Sequence, residues 1–202
     1  MTDARSLPQR FETERLLLLP WQERHVAPFA RLNADPEVMR YFPSVLSEDQ
    51  TRASVTGWQE HLARHGWSNW AVELKGTGEF IGFVGLWIPS RPMPFGDCVE
   101  IGWRLARRHW SQGYASEAAR EALRFGFCDI GLEEIVAFTA LVNQPSRAVM
   151  ERIGMKDARA DFDHPAVPIG SELRRHCLYR ITRADWRSGC PSPPSSRRAR
   201  SN

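Results

Sequence analysis

A chain of 202 residues with 42% hydrophobic and 25% charged side chains is long enough for one sizeable core, and its composition excludes disorder over most of its length. The formal net charge of +3 is matched by three arginines near the C-terminus, Arg197, Arg198 and Arg200, so the remainder is neutral and offers no specific footprint for nucleic acid. No apolar run reaches the roughly 18 to 20 residues of a membrane helix; the strongest, Phe80 to Ile88, is broken by Gly82 and Gly85.

Met1 to Arg10 is polar and lacks the apolar stretch of a secretion signal, so a cytoplasmic protein is expected. Arg15 to Leu19 reads as a short buried strand, and Trp21 to Leu32 as a helix ending near Asn33. A second helix follows Ser47, which forms a capping-box pair with Gln50; Val55, Trp58 and Leu62 share one face, and Gly66 closes it. Asn69 to Leu74, the Gly76-Thr77-Gly78 turn and Glu79 to Ile88 read as a hairpin, after which the proline-rich stretch Pro89 to Gly96 forces a loop. Cys98 to Leu105 alternates as a strand, with Val99, Ile101, Trp103 and Leu105 on one face and Glu100, Gly102 and Arg104 on the other. Beyond the loop Ala106 to Gln112, a helix is expected from about Gly113 to Asp129, with Gly131 as its stop. Ile135 to Leu141 is a strand and Ser146 to Ile153 a short helix ended by Gly154; Met155 to Phe162 and His176 to Ile181 are the last two strands. The order is mixed α/β with two strand-to-helix crossovers in the second half. Pro191 to Asn202 is rich in Pro, Ser and Arg with Ala199 as its one apolar residue, and is expected to be a disordered tail.

The first of these two crossovers carries the first chemical signal. A strand feeding a glycine turn and then a helix makes an anion site, because the first-turn N–H groups lack intrahelical partners and the helix dipole is positive there. Gln112-Gly113-Tyr114-Ala115-Ser116 supplies that turn, with small residues at Gly113 and Ala115 and positive charge at Arg107 and Arg108. An ordinary strand-to-helix turn fits the same five residues.

Glu100-Ile101-Gly102-Trp103-Arg104-Leu105, followed by His109-Trp110-Ser111-Gln112-Gly113-Tyr114-Ala115-Ser116-Glu117-Ala118, resembles the acetyl-CoA motif of the GNAT acetyltransferase superfamily. A second resemblance is Asn143-x-x-Ser146-x-x-Val149-x-x-x-Ile153-Gly154-Met155, similar to that family's N-x-x-S helix and the glycine followed by Met or Phe after it. With Thr13-Glu14-Arg15-Leu16 and Tyr179-Arg180-Ile181-Thr182 the likeness covers roughly residues 11 to 186. It is nearest the Rim-type (RimJ/RimL-like) branch, where tryptophan is common at the position of Trp110; elsewhere in the family Gln or Arg is frequent there. The implied organisation is an N-terminal extension at 1–10, an N-acetyltransferase domain at 11–187 and the tail at 188–202.

The resemblance implies a single-domain α/β fold: a mixed, mostly antiparallel central sheet with helices on both faces, splayed between the strands that flank the CoA-binding helix. Acetyl-CoA is the implied co-substrate, with no metal. Its pantetheine arm would enter the splay beside Trp103, Arg104 and Leu105, and its pyrophosphate would rest on amides of Gln112 to Ser116 near Arg107 and Arg108. Asn143 would bond the pantetheine amide and Arg147 would reach the nucleotide end. The acceptor is an amine, on a small molecule or at a protein N-terminus; no membrane is implied, and a homodimer is compatible.

Acyl transfer to an amine needs a neutral nucleophile, a donor for the oxyanion and a proton for the leaving thiolate. Glu100 is the candidate base, because burial near the splay would raise its pKa; an ion pair with Arg104 is the competing reading. Backbone N–H groups of the same strand can serve the oxyanion. Ser146 and Tyr179 are alternative proton donors. Trp67 and Trp70, with Tyr41 and Phe42, are candidates for an acceptor wall, whereas His164 and His176 read as packed or surface histidines. Cys98, Cys128, Cys177 and Cys190 are scattered, with neither a C-x-x-C pair nor zinc-finger spacing. Two other classes remain: a non-catalytic acyl-CoA-binding or regulatory module on the same fold, and weak, salt-sensitive nucleic-acid binding through the arginine tail.

Overall fold

The computed structural model describes residues 7–187. The tail expected at Pro191 to Asn202, and Cys190, lie outside them. Strands β1 (Phe11–Glu12) and β2 (Leu16–Leu19) lead into three helices, α1 (Glu23–Asn33), α2 (Pro36–Met39) and α3 (Glu48–His65). Strands β3 (Asn69–Leu74), β4 (Phe80–Trp87) and β5 (Glu100–Leu105) follow, then α4 (Tyr114–Arg124), β6 (Glu134–Ala140) and α5 (Gln144–Arg152). The chain closes with β7 (Lys156–Asp157), β8 (Phe162–Asp163), β9 (Arg175–Thr182) and α6 (Arg183–Arg187).

Local chemistry explains the boundaries. Ser47 Oγ accepts from Gln50 N–H at 3.1 Å while Gln50 Oε1 accepts from Ser47 N–H at 2.9 Å, so both orphan donors of the α3 start are satisfied. Such a cap is worth about 1 kcal/mol. Gly66, at φ 79°, ends α3 in the left-handed conformation. The helix after Gly113 departs from expectation: its α-helical part stops at Arg124, and Phe125–Ile130 widens into a π-helical turn before Gly131. Met155 to Phe162 is likewise not one strand. Asp157 Oδ1 accepts from Arg159 N–H at 2.8 Å and Arg159 sits at φ 51°, a local turn that breaks the run into β7 and β8, each paired with β9.

All the strands belong to one sheet in the order β1-β2-β3-β4-β5-β6-β9-β7, with β8 also on β9. Each pairing is antiparallel except β5 with β6, which run parallel and so require the α4 crossover. Among the described residues these two strands meet in register at Glu100 and Val136 alone, supported by Val136 N–H to Val99 O at 2.9 Å. Beyond that point they diverge, opening the splay that the resemblance implies.

The two faces are covered differently. On one, Ile101 and Leu105 of β5 meet Ala118, Ala119, Ala122 and Leu123, whose small side chains let α4 lie close to the sheet. Leu123 is fully buried, which contributes about 1.5–3 kcal/mol. On the other, Ala71 and Phe83 pack against Phe29 of α1 and Val55 of α3, with Trp58 alongside. The fold is the mixed, mostly antiparallel α/β architecture with helices on both faces that was expected.

Candidate active site

The splay opens into a cavity of about 1570 Å³ that runs from the start of α4, past β5, to the loop after α2. At the α4 end, Gly113 is the N-cap residue at φ 83°, a conformation that favours glycine, and Ser111 just before it is also left-handed at φ 59°. The first bond of the helix is Glu117 N–H to Gly113 O at 3.0 Å. The amides of Tyr114, Ala115 and Ser116 therefore have no acceptor among the described residues, and the dipole adds partial positive charge to them. A helix start of this kind can cradle an anion against its backbone.

The positive side chains at this cradle are not those the sequence pointed to. Arg108 Nε is held by Glu79 at 2.9 Å on the β3–β4 hairpin, and Arg107 is exposed beside it; neither lines the cavity. Arg15 and Arg120 do. Arg15 donates from Nη1 to Gln112 O at 3.0 Å, pairs with Glu117 through Nε at 2.7 Å, and lies 4.5 Å over the Tyr114 ring. Thr13 Oγ1 also donates to Glu117, at 2.6 Å, so the β1–β2 turn is tied to the first turn of α4. Arg120 donates to Arg152 O at 2.7 Å and has no carboxylate partner among the described residues. Neither contact is local in sequence: Arg15 and Glu117 are 102 residues apart.

The remaining candidates separate into two groups. Glu100, Trp103, Arg104, Leu105, Gly113, Tyr114, Ala115, Ser116, Asn143 and Ser146 line the cavity. Gln112, Arg147 and Tyr179 do not. Gln112 is exposed and its side chain donates to Arg108 O at 2.9 Å. Arg147 turns back onto Leu141 O at 3.4 Å. Tyr179 is buried in the core behind α5, with its hydroxyl donating to Glu151 at 3.0 Å. Asn143 is the N-cap of α5: its Oδ1 accepts from Ser146 N–H at 3.3 Å, and its Nδ2 donates to Thr139 Oγ1 at 2.8 Å and to Ser146 Oγ at 3.2 Å. The Ser146 hydroxyl thus accepts from Asn143 and keeps its own proton free to donate.

Glu100 stands at the point where β5 and β6 part. Among the described residues it has no ion pair and no side-chain hydrogen bond, and burial pushes its carboxyl up to about 8. Arg104, about 13 Å along the same strand, does not neutralise it. The arginine instead donates to Asn33 Oδ1 at 2.6 Å and stacks 4.1 Å over the Phe42 ring. Burial lowers its pKa to about 10.

Part of the cavity wall is aromatic. Tyr41 and Phe42 line it, together with Trp58, Phe83 and Trp87. Trp67 and Trp70 do not; both are in the core, where Trp70 lies edge-on to Phe11 at 5.1 Å. His164 and His176 also face the cavity, their rings 4.7 Å apart beside Phe138 and Phe162. Burial depresses both imidazoles, His176 to about 4, so the pair is neutral at pH 7. No cluster of three or more potential metal ligands occurs among the described residues, and no helix there is long and apolar enough to cross a membrane.

Comparison with known proteins agrees with this geometry. Residues 15–156 match the acetyltransferase (GNAT) domain family. FsC-acetyl coenzyme A-N(2)-transacetylase of Aspergillus fumigatus is 33% identical over 201 aligned residues, covering 92% of this chain and 81% of the relative. A GNAT-family acetyltransferase structure from Bacillus anthracis superposes with a TM-score of 0.71 at 29% identity, covering 87% of this chain and 99% of that one. RimJ of Mycobacterium smegmatis, solved with CoA-disulfide, shares the fold at a TM-score of 0.67 and 21% identity, over 86% of each chain. A helix start with unpartnered amides, a sheet splayed beside it and a matching sequence over most of the chain lead to one conclusion: the protein belongs to the GNAT acetyltransferase family and is an N-acetyltransferase.

Proposed function

We propose that the protein transfers the acetyl group of acetyl-CoA to a primary amine, on a small molecule or a protein N-terminus, by direct attack in a ternary complex. The observation that carries this reading is Glu100: an unpaired, half-buried carboxylate inside the same cavity as the α4 helix start, with its pKa raised by desolvation. An ammonium arriving beside it meets a group basic enough to take its proton, and the charge of the ammonium in turn favours the carboxylate form. The neutral amine then attacks the thioester carbon, and the thiolate leaves. The alternative, a non-catalytic CoA-binding module, gives no reason for a partly desolvated carboxylate without a partner, which is destabilising unless used.

The residues present fit CoA. The amides of Tyr114, Ala115 and Ser116, with Arg15 and Arg120 nearby, suit the pyrophosphate, and the splay beyond the Glu100–Val136 pair suits the pantetheine arm. CoA should therefore stabilise the native state: at a hundredfold excess over Kd by about 2.7 kcal/mol. For a domain of this size that corresponds to a rise of roughly 5–11 °C in Tm, read by scanning calorimetry. No shift at millimolar CoA would remove the assignment.

Acetyl transfer itself is tested by release of free thiol from acetyl-CoA across a panel of primary amines. CoA binding without thiol release from any of them would favour the non-catalytic module. For the thiolate proton, Ser146 is the better placed donor, since its hydroxyl faces the cavity and the Tyr179 hydroxyl is engaged with Glu151. Ser146→Ala is expected to lower kcat by about a hundredfold, the lower end of acid–base contributions, and Tyr179→Phe to act mainly through stability. Steady-state kinetics paired with Tm for both variants decides; the reverse pattern would transfer the role to Tyr179.

A further inference from the structure

We propose that the acceptor carries a carboxylate as well as its amine, and that Arg104 receives it at the far end of a groove floored by Gly102. This deepens the acetyl-transfer reading above and rests on it. The register places the groove. Trp87 lies opposite Glu100, Gly85 opposite Gly102, and Phe83 opposite Arg104, so Glu100, Gly102 and Arg104 project from the same face of the sheet. That face is the one away from α4, so an acceptor lying there approaches the splay from the side opposite the α4 anion cradle.

Between the two charged residues the floor is open. A Cβ at Gly102 would have no atom within 4 Å, and its backbone is not in the left-handed region, so an ordinary side chain is absent here without any backbone need for glycine. All three residues line the cavity.

Arg104 is a cation without a counterion. Its Nη1 is anchored on the buried Asn33, whose Nδ2 in turn donates to Thr51 Oγ1 at 3.0 Å, and its face is stacked on Phe42. Its Nε is buried with no partner, and no carboxylate lies within ion-pairing distance of the guanidinium among the described residues. A guanidinium held this way is costly unless an anion completes it, and its planar fork suits a carboxylate. The α4 cradle does not supply that anion, because the Arg104 side chain lies on the other face of β5.

The test uses the full chain with acetyl-CoA and matched pairs of amines long enough to reach from Glu100 toward Arg104: γ-aminobutyrate, 6-aminohexanoate and 8-aminooctanoate, each beside its carboxamide. Thiol release is expected to favour a carboxylate over its carboxamide by tenfold or more in kcat/KM in at least one pair. Arg104→Met, which keeps length and contact with Phe42, should bring that ratio near one, and Arg104→Lys should keep part of it. Gly102→Leu puts a side chain into the groove at a position where its Cβ meets no protein atom, and should raise the KM of the amine more than that of acetyl-CoA, which tests the same site should Arg104→Met fail to fold. Acetylation with no carboxylate preference in any pair, or a preference that survives Arg104→Met, overturns the proposal and leaves acetyl transfer standing. CoA binding with no thiol release from any amine overturns the acetyl-transfer reading instead. Equilibrium titration of the same pairs into the CoA complex then decides the carboxylate site: tighter binding of the carboxylates supports it, and equal binding rejects it.

Discussion

Gly113→Asp should abolish measurable CoA binding while circular dichroism stays close to that of the parent protein. Three features of the N-cap set this expectation. Gly113 is left-handed at φ 83°, so any side chain is strained, at roughly 1–2 kcal/mol, but aspartate is among the residues that tolerate the region best. A Cβ there would sit 3.4 Å from Arg15 Nη2, ordinary contact, so space does not forbid it. What changes is charge: the new carboxylate would lie at the positive end of α4, where it would bond Arg15 and the free first-turn amides itself. Those are the groups assigned to the pyrophosphate, and the two anions would repel at close range. Gly113→Ala is the control, carrying the same strain without the charge. Isothermal titration should find the alanine variant weakened modestly and the aspartate variant by far more than tenfold. An aspartate variant that binds CoA within tenfold of the parent would place the phosphate site elsewhere.

That cradle was legible in the sequence because its determinants are local: a glycine where the chain turns left-handed, and a helix whose first amides have no partner. The Ser47–Gln50 cap and the Gly66 stop were legible for the same reason. The errors arose where the deciding contact is distant. Arg107 and Arg108 are near the cradle in sequence, but Glu79 on the adjacent hairpin holds Arg108, while Arg15 arrives from the β1–β2 turn. Tyr179 looked available as a proton donor, yet its partner Glu151 is on another element. The acceptor wall was misassigned because β3 is buried on both faces. With no polar alternation along Asn69 to Leu74, the pattern could not show that Trp70 faces the core, and Trp67 just before the strand is buried too. Trp58 and Trp87 reach the cavity through the way α3 and β4 flank it, which a helix or strand pattern alone does not show. The boundary between β7 and β8 turned on a single Asx turn at Asp157.

Glu100→Gln is expected to lower kcat by about 10² to 10⁴-fold, the usual contribution of a general base, with the affinity for acetyl-CoA unchanged. Glutamine keeps the shape and can still hydrogen-bond the amine, so the loss isolates basicity. The pH profile follows from the direction of the shift. With its carboxyl pushed up to about 8 by burial, Glu100 is protonated and inactive as a base below that value, so kcat/KM should rise with pH through a limb near 8 in the free enzyme. In the acceptor complex a neighbouring ammonium stabilises the carboxylate, and the limb in kcat should move to lower pH. Stability has the opposite slope. Between the ordinary value of 4.5 and about 8 the folded protein binds a proton that the unfolded chain has released, so this group costs stability as pH rises through that window. Glu100→Gln should remove that dependence and be the more stable protein above pH 8, which separates loss of a base from loss of fold. The acceptor must be the same for both proteins, because an amine titrating in the same range imitates the limb. A variant within threefold of the parent kcat, with an unaltered profile, would take Glu100 out of the mechanism. The amine would then lose its proton to water before attack, and alignment beside the thioester would have to supply most of the rate.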